Sequence, residues 1–243
     1  MRMTRAVVVG VFCLFIVTAA TAQTADELVA KNLQARGGVE RIKAVNTLKM
    51  TGKAYMGINV DVSQEQKRPN MMRQEFTVQG MTQIQAYDGS IGWQISPFQG
   101  RRDAEQMGED DTRDLLDDAD IDGPLVDYQA KGNKVEYLGH DLVDGDDAYK
   151  LKVTMKNGDI VYYYLDPDTY LEIKKEKQEF IRGSVHESEQ LLGSYKQVAG
   201  VFYPFSLETG SKGGGDHARY TIDTIVVNGP IEDSYFKMPA AKK

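Results

Sequence analysis

The acidic segment at residues 118–123 is the clearest candidate for metal-binding chemistry in this sequence. Its carboxylates alternate along the chain and a glycine stands at the sixth position, as in the first half of an EF-hand calcium loop. The second half does not match, because position twelve is Gln129, which cannot supply a bidentate carboxylate, and position seven is Pro124. The segment therefore favours a polar junction between two helical turns, and we predict no metal site.

The motifs of hydrolases and nucleotide-dependent enzymes are incomplete or absent. His186 and Glu187 begin like the zinc-protease H-E-x-x-H motif, but Gln190 stands where the second zinc ligand is required. The sequence contains no G-x-S-x-G nucleophile elbow, no phosphate loop and no dinucleotide fingerprint. A catalytic pair can assemble from distant strands, but no motif signals one. We predict a protein that is not an enzyme, with no catalytic residues and no cofactor.

The first 22 residues have the three parts of a secretory signal peptide. Arg2 and Arg5 precede an apolar run at residues 6–17, and the small residues Ala20 and Ala22 fit a cleavage site. The apolar run is short for a bilayer span. We predict cleavage near Ala22, export from the cytosol, and a mature domain of residues 23–243.

Composition limits the partners of the exported domain. Cleavage removes two arginines, so the formal net charge changes from −7 to −9. An acidic domain without clustered Lys and Arg does not attract phosphates, and we predict no nucleic-acid partner. The only cysteine, Cys13, lies in the predicted signal peptide, which excludes a disulfide or a thiol nucleophile from the mature chain.

The mature chain begins with a helical pattern and continues with strand patterns. Thr24 and Glu27 have the spacing of a capping box at the start of a helix. Apolar residues then occupy most even positions from 48 to 62, which predicts strands with one dry face. Gly57 indicates a bend or bulge within that run. The same alternation follows at residues 72–78 and in several later segments.

The clearest hairpin pattern surrounds the Asn-Gly pair at residues 157–158. This pair is a preferred two-residue turn, since both of its residues accept a positive φ. A two-residue turn fixes the register of the strands, and it predicts that Val153 pairs with Tyr162 and that Leu151 pairs with Tyr164. These four side chains would then share one face of the sheet.

Together these elements predict an α+β chain that is mainly antiparallel β. About ten strands form a meander, one helix leads, and residues 105–128 interrupt the alternation with a helical insertion. No repeat or linker divides the chain, so we predict one domain. Its many methionine and aromatic residues either line an adaptable binding surface or fill a β-sheet core, and the pattern by itself favours the core.

Five segments resemble the LolA-like family of outer-membrane lipoprotein-sorting proteins. They are AYDGSIGWQISPF at 86–98, DIDGPLVDY at 120–128, the stretch 149–166, GVFYPF at 200–205 and the ending at 228–239. The resemblance implies an unclosed half β-barrel of about ten to eleven strands. It also implies that the leading helix and the mid-chain insertion cover the concave face above an apolar cavity.

The same resemblance implies a function without catalysis in the periplasm of a double-membraned bacterium. The protein would carry or bind lipid or lipoprotein acyl chains, with membrane-associated donor and acceptor proteins as further partners. An alternative is a non-catalytic periplasmic sensor or scaffolding module that binds a protein partner. The candidate residues of the lipid-binding cavity are Met50, Met56, Met72, Phe76, Trp93, Phe98, Leu151, Val153, Tyr162 and Tyr164.

Overall fold

The computed structural model describes residues 23–181 and 183–240 of the 243-residue chain. The predicted signal peptide, residues 1–22, lies outside the described residues and stays a prediction. Within the described residues, no helix combines the length and the apolar character that a membrane crossing requires.

The predicted leading helix and mid-chain helix are both confirmed. Helix α1, Ala25–Ala35, begins with the expected capping box: the Glu27 amide donates to the Thr24 hydroxyl, and the Thr24 amide donates to the Glu27 carboxylate. Helix α2, Val39–Lys43, follows directly, and α3, Glu109–Ala119, is the mid-chain helix. Two short 3₁₀ helices lie at Pro97–Gln99 and Asp233–Tyr235.

Fifteen strands are present in the described residues, and all of them pair antiparallel. Thirteen form one sheet with the spatial order β6-β5-β4-β3-β2-β1-β15-β14-β11-β10-β9-β8-β7, while β12 pairs with β13. The edge strands β6 and β7 are not paired with each other in this part of the chain, so the sheet is unclosed, as predicted. In chain order the strands are β1 Thr47–Tyr55, β2 Asn59–Lys67, β3 Met71–Val78, β4 Met81–Tyr87, β5 Gly92–Ser96, β6 Arg101–Gln106, β7 Lys134–Val143, β8 Asp146–Thr154, β9 Ile160–Leu165, β10 Glu172–Ile181, β11 Ser184–Gly193, β12 Lys196–Val198, β13 Val201–Tyr203, β14 Ser206–Ser211 and β15 Ala218–Val227.

The strand number exceeds the predicted ten to eleven, and that prediction is wrong. The alternating run at residues 48–62 is two strands, because Gly57, with φ of +80°, lies at the tip of a hairpin in which Tyr55 pairs with Asn59. The bend expected at this glycine is therefore a chain reversal. The edge strands β6 and β7 add to the total. Strand β6 is mostly charged, and in β7 the alternation of residues 134–137 breaks at Leu138 and Gly139, where the pairing with β8 shifts register.

The register predicted for the β8–β9 hairpin is wrong by one residue. Leu151 pairs with Tyr163 instead of Tyr164, and the other pairs of the hairpin are shifted in the same way. Because side chains alternate between the two faces of a strand, the shift moves Tyr162 and Tyr164 to the face opposite Leu151 and Val153.

The chemistry of the turn explains this shift. The loop has three residues, because the amide of Met155, and not that of Lys156, donates to the Asp159 carbonyl at 2.8 Å. Asn157 does not adopt the positive φ that a two-residue turn requires. Its side-chain oxygen instead accepts a hydrogen bond from the Asp159 amide, and Gly158 takes the left-handed position with φ of +94°.

The main core lies on the face of the sheet that the helices cover, which we call the helix face. Leu28 and Leu33 of α1 pack there with Leu151 and Val153 of β8, and Leu125 joins them from the segment before β7. Both β8 side chains are fully buried. Burying one such aliphatic side chain contributes about 1.5–3 kcal/mol, so this cluster is a major source of the stability of the fold.

Helix α3 covers a second, smaller cluster on the helix face. Its Leu115 packs with Met72 of β3 and Tyr87 of β4. Strand β5 approaches the helix so closely that a Cβ on Gly92 would lie 2.4 Å from the hydroxyl oxygen of Thr112. A glycine is therefore required where β5 passes under α3.

Ion pairs attach the other side of α3 to the turn before β9 and to β10. Arg113 makes a bidentate pair with Asp159, whose side chain is 1% exposed. Lys177 of β10 lies 2.8 Å from the carboxylate of Asp117. Helix α3 thus bridges two parts of the helix face, with apolar contacts on one side and charged contacts on the other.

The C-terminal segment of the described chain lies on the outer face, opposite the helices. Trp93 and Phe236 are fully buried there, and the Trp93 indole N–H donates to the Phe236 carbonyl at 2.7 Å. The Arg73 guanidinium lies 4.4 Å from the ring centre of Tyr235 and 5.5 Å from that of Trp93. These contacts hold the segment after β15 against the back of β3 and β5.

Candidate functional site

An open apolar groove lies on the helix face where the hairpins β1–β2 and β3–β4 turn. Its volume is about 650 Å³. Four of its apolar side chains, those of Met56, Ile58, Met81 and Phe98, are 42–55% exposed. A contiguous group of exposed apolar side chains is typical of a binding surface. We call this site the outer groove, and its lining is Met56, Ile58, Val60, Phe76, Val78, Gln79, Met81, Gln83, Gln85, Phe98 and Tyr220.

A second hollow of about 470 Å³, the inner cavity, lies further along the same face. Phe76 and Tyr220 line both hollows, so the outer groove and the inner cavity adjoin. The inner cavity is more polar than the groove. Its lining is Met50, Val62, Ser63, Gln64, Gln74, Phe76, Asp118, Lys175, Gln190, Leu192, Tyr203, Pro204, Leu207, Thr209, Tyr220 and Ile222.

A row of glutamines crosses the helix face where the two hollows meet. Gln64 of β2, Gln74 of β3, Gln85 of β4 and Gln94 of β5 are direct cross-strand partners. The Gln74 amide donates to the Gln85 side-chain oxygen at 2.7 Å. Gln64 and Gln74 line the inner cavity and Gln85 lines the outer groove. We call these four residues the glutamine row.

Two charged side chains line the inner cavity. Asp118, at the end of α3, is exposed to solvent through the open cavity, although neighbouring protein displaces part of the water around its carboxylate. Burial raises the pKa of its carboxyl to about 6, against the opposing effect of Lys177. Lys175 is already engaged, because its ammonium lies 3.2 Å from the Glu172 carboxylate and 5.3 Å from the ring centre of Tyr163.

The other carboxylates of the acidic segment point to separate cationic partners. Asp122 accepts a bidentate pair from Arg68, with one distance of 2.9 Å. Asp120 pairs with Lys131 at 2.5 Å. These carboxylates hold the segment to the turn after β2 and to the loop before β7, which is a structural role.

Three carboxylates on the helix face lie close enough to share an ion. Oxygen atoms of Asp117, Asp159 and Glu179 lie within 4.8 Å of one another. Arg113 and Lys177 make ion pairs with the members of this group, so these two cations offset most of its negative charge. The arrangement attaches α3 to the sheet.

Four of the ten predicted cavity residues line the two hollows. Met56 and Phe98 line the outer groove, Met50 lines the inner cavity, and Phe76 lines both. Met72 lies beside them but is fully buried under α3.

The remaining five lie in other parts of the fold. Leu151 and Val153 are packed in the main core, and Trp93 is buried on the outer face under the C-terminal segment. Tyr162 and Tyr164 also belong to the outer face, where the Lys150 ammonium lies 5.3 Å and 4.9 Å from their ring centres.

Sequence reasoning missed several side chains of the hollows. Val60, Val78 and Met81 line the outer groove, and Tyr220 lines both hollows. Val60 and Val78 occupy the apolar positions of alternating runs, so the sequence pattern was sufficient to assign them to the apolar face. Tyr220 could not be found in this way, because its place beside Ala54 depends on the pairing of β15 with β1.

At the level of sequence, no known protein family and no curated protein matches this chain. Solved structures do match it in fold. A DUF1329 family protein from Desulfovibrio piger superposes with a TM-score of 0.61 at 12% identity, covering 88% of this chain and 97% of its own.

Two further structures match over a similar extent. A LolA superfamily protein from Nitrosomonas europaea has a TM-score of 0.57 at 12% identity, covering 89% of this chain and 98% of its own. A domain from Vibrio parahaemolyticus that is named for outer membrane lipoprotein sorting has a TM-score of 0.56 at 12% identity, covering 86% and 94%. The resemblance inferred from the sequence is confirmed for the fold: this chain has a LolA-like fold.

Proposed function

We propose that this protein is a periplasmic carrier or binder of lipid or lipoprotein acyl chains that acts without catalysis. The observation that carries the proposal is the outer groove, an open apolar hollow of about 650 Å³ that adjoins the inner cavity. Small-molecule sites typically have volumes of about 300–1,000 Å³ and largely apolar walls. Two of the structures with the same fold carry names that refer to the LolA superfamily or to lipoprotein sorting, which supports the proposal.

Transfer of hydrocarbon from water supplies the binding free energy. Each enclosed CH₂ group contributes about 0.8 kcal/mol, so a chain of about twelve carbons gains roughly 10 kcal/mol when it is fully enclosed. The outer groove is open on one side, so a chain bound there stays partly hydrated and gains less. A carrier needs such intermediate affinity, because it must release the chain to an acceptor.

The predicted signal peptide at residues 1–22 supports a location in the periplasm. There the protein would act between a membrane-associated donor and a membrane-associated acceptor. The sequence contains no nucleotide-binding motif, which suits transfer driven by differences in affinity alone.

Native mass spectrometry of the protein purified from its own periplasm tests the proposal directly. We expect a mass increment that matches a lipid or an acyl-bearing peptide and that disappears after organic extraction. A stoichiometric protein partner without lipid would instead support the sensory or scaffolding alternative. A protein that is empty in every preparation would contradict the carrier function.

A matched pair of substitutions locates the binding site. Met81→Glu places a charge in the outer groove, and Leu142→Glu places the same charge on an exposed apolar residue of β7. We expect Met81→Glu to weaken binding of the apolar fluorophore 1-N-phenylnaphthylamine by about tenfold or more, because an unpaired charge in an apolar site is costly. Leu142→Glu should leave the affinity unchanged. Equal affinities for the two variants would place the site elsewhere.

A further inference from the structure

The glutamine row is an unexpected feature of a hollow that binds only hydrocarbon. Its four side chains lie on adjacent strands, and strands are about 4.8 Å apart, so the row extends roughly 14 Å across the sheet. A carboxamide carries no charge and both donates and accepts hydrogen bonds. Each glutamine that faces a hollow therefore offers a polar contact inside an otherwise apolar wall.

The row borders both parts of the site. Gln85 lines the outer groove with its exposed apolar side chains, and Gln64 and Gln74 line the more polar inner cavity. The hydrogen-bonded pair of Gln74 and Gln85 stands at this boundary, since one residue lines each hollow. A molecule that fills both hollows passes Phe76 and Tyr220, which line both, and can place a polar group against the neighbouring Gln74 and Gln85 amides.

The charges of the site disfavour an anionic ligand. Of the described residues that line the two hollows, Lys175 is the one cation, and it is engaged by Glu172. The Asp118 carboxylate lines the same cavity and repels a second negative charge. An anionic head group would therefore lose its hydration without gaining a cationic partner.

We propose that this site selects uncharged amphiphiles. The hydrocarbon chain lies in the outer groove, and a hydroxyl, ester or amide group of the head hydrogen-bonds to the glutamine row. Free fatty acids and other anionic amphiphiles of equal chain length bind more weakly. This inference rests on the proposed function, because it concerns the ligand class of the same site.

The test compares three amphiphiles that share a dodecyl chain or lauroyl group. They are 1-monolauroylglycerol, laurate and dodecyltrimethylammonium, each used below its critical micelle concentration to displace 1-N-phenylnaphthylamine from the full mature chain. At about pH 8 the carboxyl of laurate is ionised. We expect the glycerol ester to displace the fluorophore at a concentration about tenfold lower than laurate, as one or two retained hydrogen bonds imply.

Substitutions in the glutamine row test whether it is the source of the preference. In the double variant Gln74→Leu with Gln85→Leu, the tenfold ratio should fall to about twofold or less, while the fluorophore itself binds at least as well. Gln178→Leu is the matched control, because Gln178 lies on β10 with its amide bonded to exposed Glu187, outside both hollows. Gln85→Leu alone serves if the double variant does not fold.

The outcomes separate this inference from the proposed function. If the fluorophore and all three amphiphiles fail to bind the wild-type protein, the carrier function fails and the inference fails with it. If they bind but laurate equals or exceeds the glycerol ester, the carrier function stands and the inference is overturned. Preference for the cationic amphiphile overturns it too and identifies Asp118 as the selecting group, and an unchanged ratio in the glutamine variants removes the row from that role.

Discussion

The two ends of the helix face use similar apolar residues for opposite purposes. Around β8 and β9, Leu151 and Val153 have no exposed surface, because α1, α2 and the segment before β7 lie directly upon them. Around the tips of β1–β4, Met56 and Met81 remain 44% and 42% exposed. An apolar position on a strand thus becomes part of the core or stays exposed according to what covers it. The two ends differ in burial because helices cover one of them and leave the other open.

The largest expected effect comes from truncating one residue at each end. Leu151→Ala removes a fully buried side chain and should lower the free energy of unfolding by about 3 kcal/mol, because a cavity is left behind. Met81→Ala should lower it by less than about 0.5 kcal/mol, since the side chain is half-exposed. Urea denaturation of both variants measures the difference. Similar losses would show that the outer groove is packed in solution.

An intermediate effect is expected at Trp93, which the sequence predicts to be a cavity residue and the structure places on the outer face. Trp93→Phe removes the indole donor to the Phe236 carbonyl and should cost about 1–3 kcal/mol, because a buried acceptor loses its partner. Binding of 1-N-phenylnaphthylamine should not change. Thermal unfolding and fluorescence titration measure the two quantities. A weaker affinity for the fluorophore together with unchanged stability would indicate that Trp93 lines the binding site.

The smallest expected effect concerns the charge in the inner cavity. The pKa of Asp118 is raised to about 6 in the folded chain, so between about pH 4 and pH 6 the folded state holds more protons than the unfolded state. The contribution of this group to the free energy of unfolding therefore falls as the pH rises through that range, and the penalty is complete above pH 6.

Replacing this carboxyl should remove the penalty. Asp118→Asn is expected to stabilise the protein by about 1 kcal/mol near neutral pH, a value reduced for water in the cavity, and to have no such effect near pH 4. Denaturation across this pH range gives the measurement, with Asp168→Asn as the matched control, because Asp168 is an exposed aspartate in the turn between β9 and β10. A gain that is independent of pH would contradict the raised pKa.

The sequence predicts the central part of the fold well. The capping box of α1 and the alternating strands β1–β4 depend on neighbouring residues, and local spacing is sufficient to identify them. The edge strands β6 and β7 are harder to predict for two reasons. The charges of β6 leave little apolar alternation to identify a strand, and the alternation in β7 breaks after Tyr137, where the pairing with β8 shifts register.

The candidate site is predicted only in part, and two physical reasons account for the rest. The register of β8–β9 depends on whether Asn157 takes a positive φ or uses its side chain to bond the Asp159 amide, and the dipeptide permits both. The second conformation, which the structure adopts, places Tyr162 and Tyr164 on the outer face. The distinction between Leu151 and Met56 depends on where the helices dock, which no local pattern contains.

The charged edge strands also affect whether copies of this protein associate through their sheet edges. Within the described residues, the unclosed sheet of thirteen strands has two edges without a strand partner, and unpaired backbone groups at such edges are a template for fibre growth. Arg101 and Arg102 of β6, and Lys134 and Glu136 of β7, place solvated charge along both edges. Strand-to-strand joining between copies is thereby opposed, and an abundant protein of this architecture can leave its sheet open without polymerising.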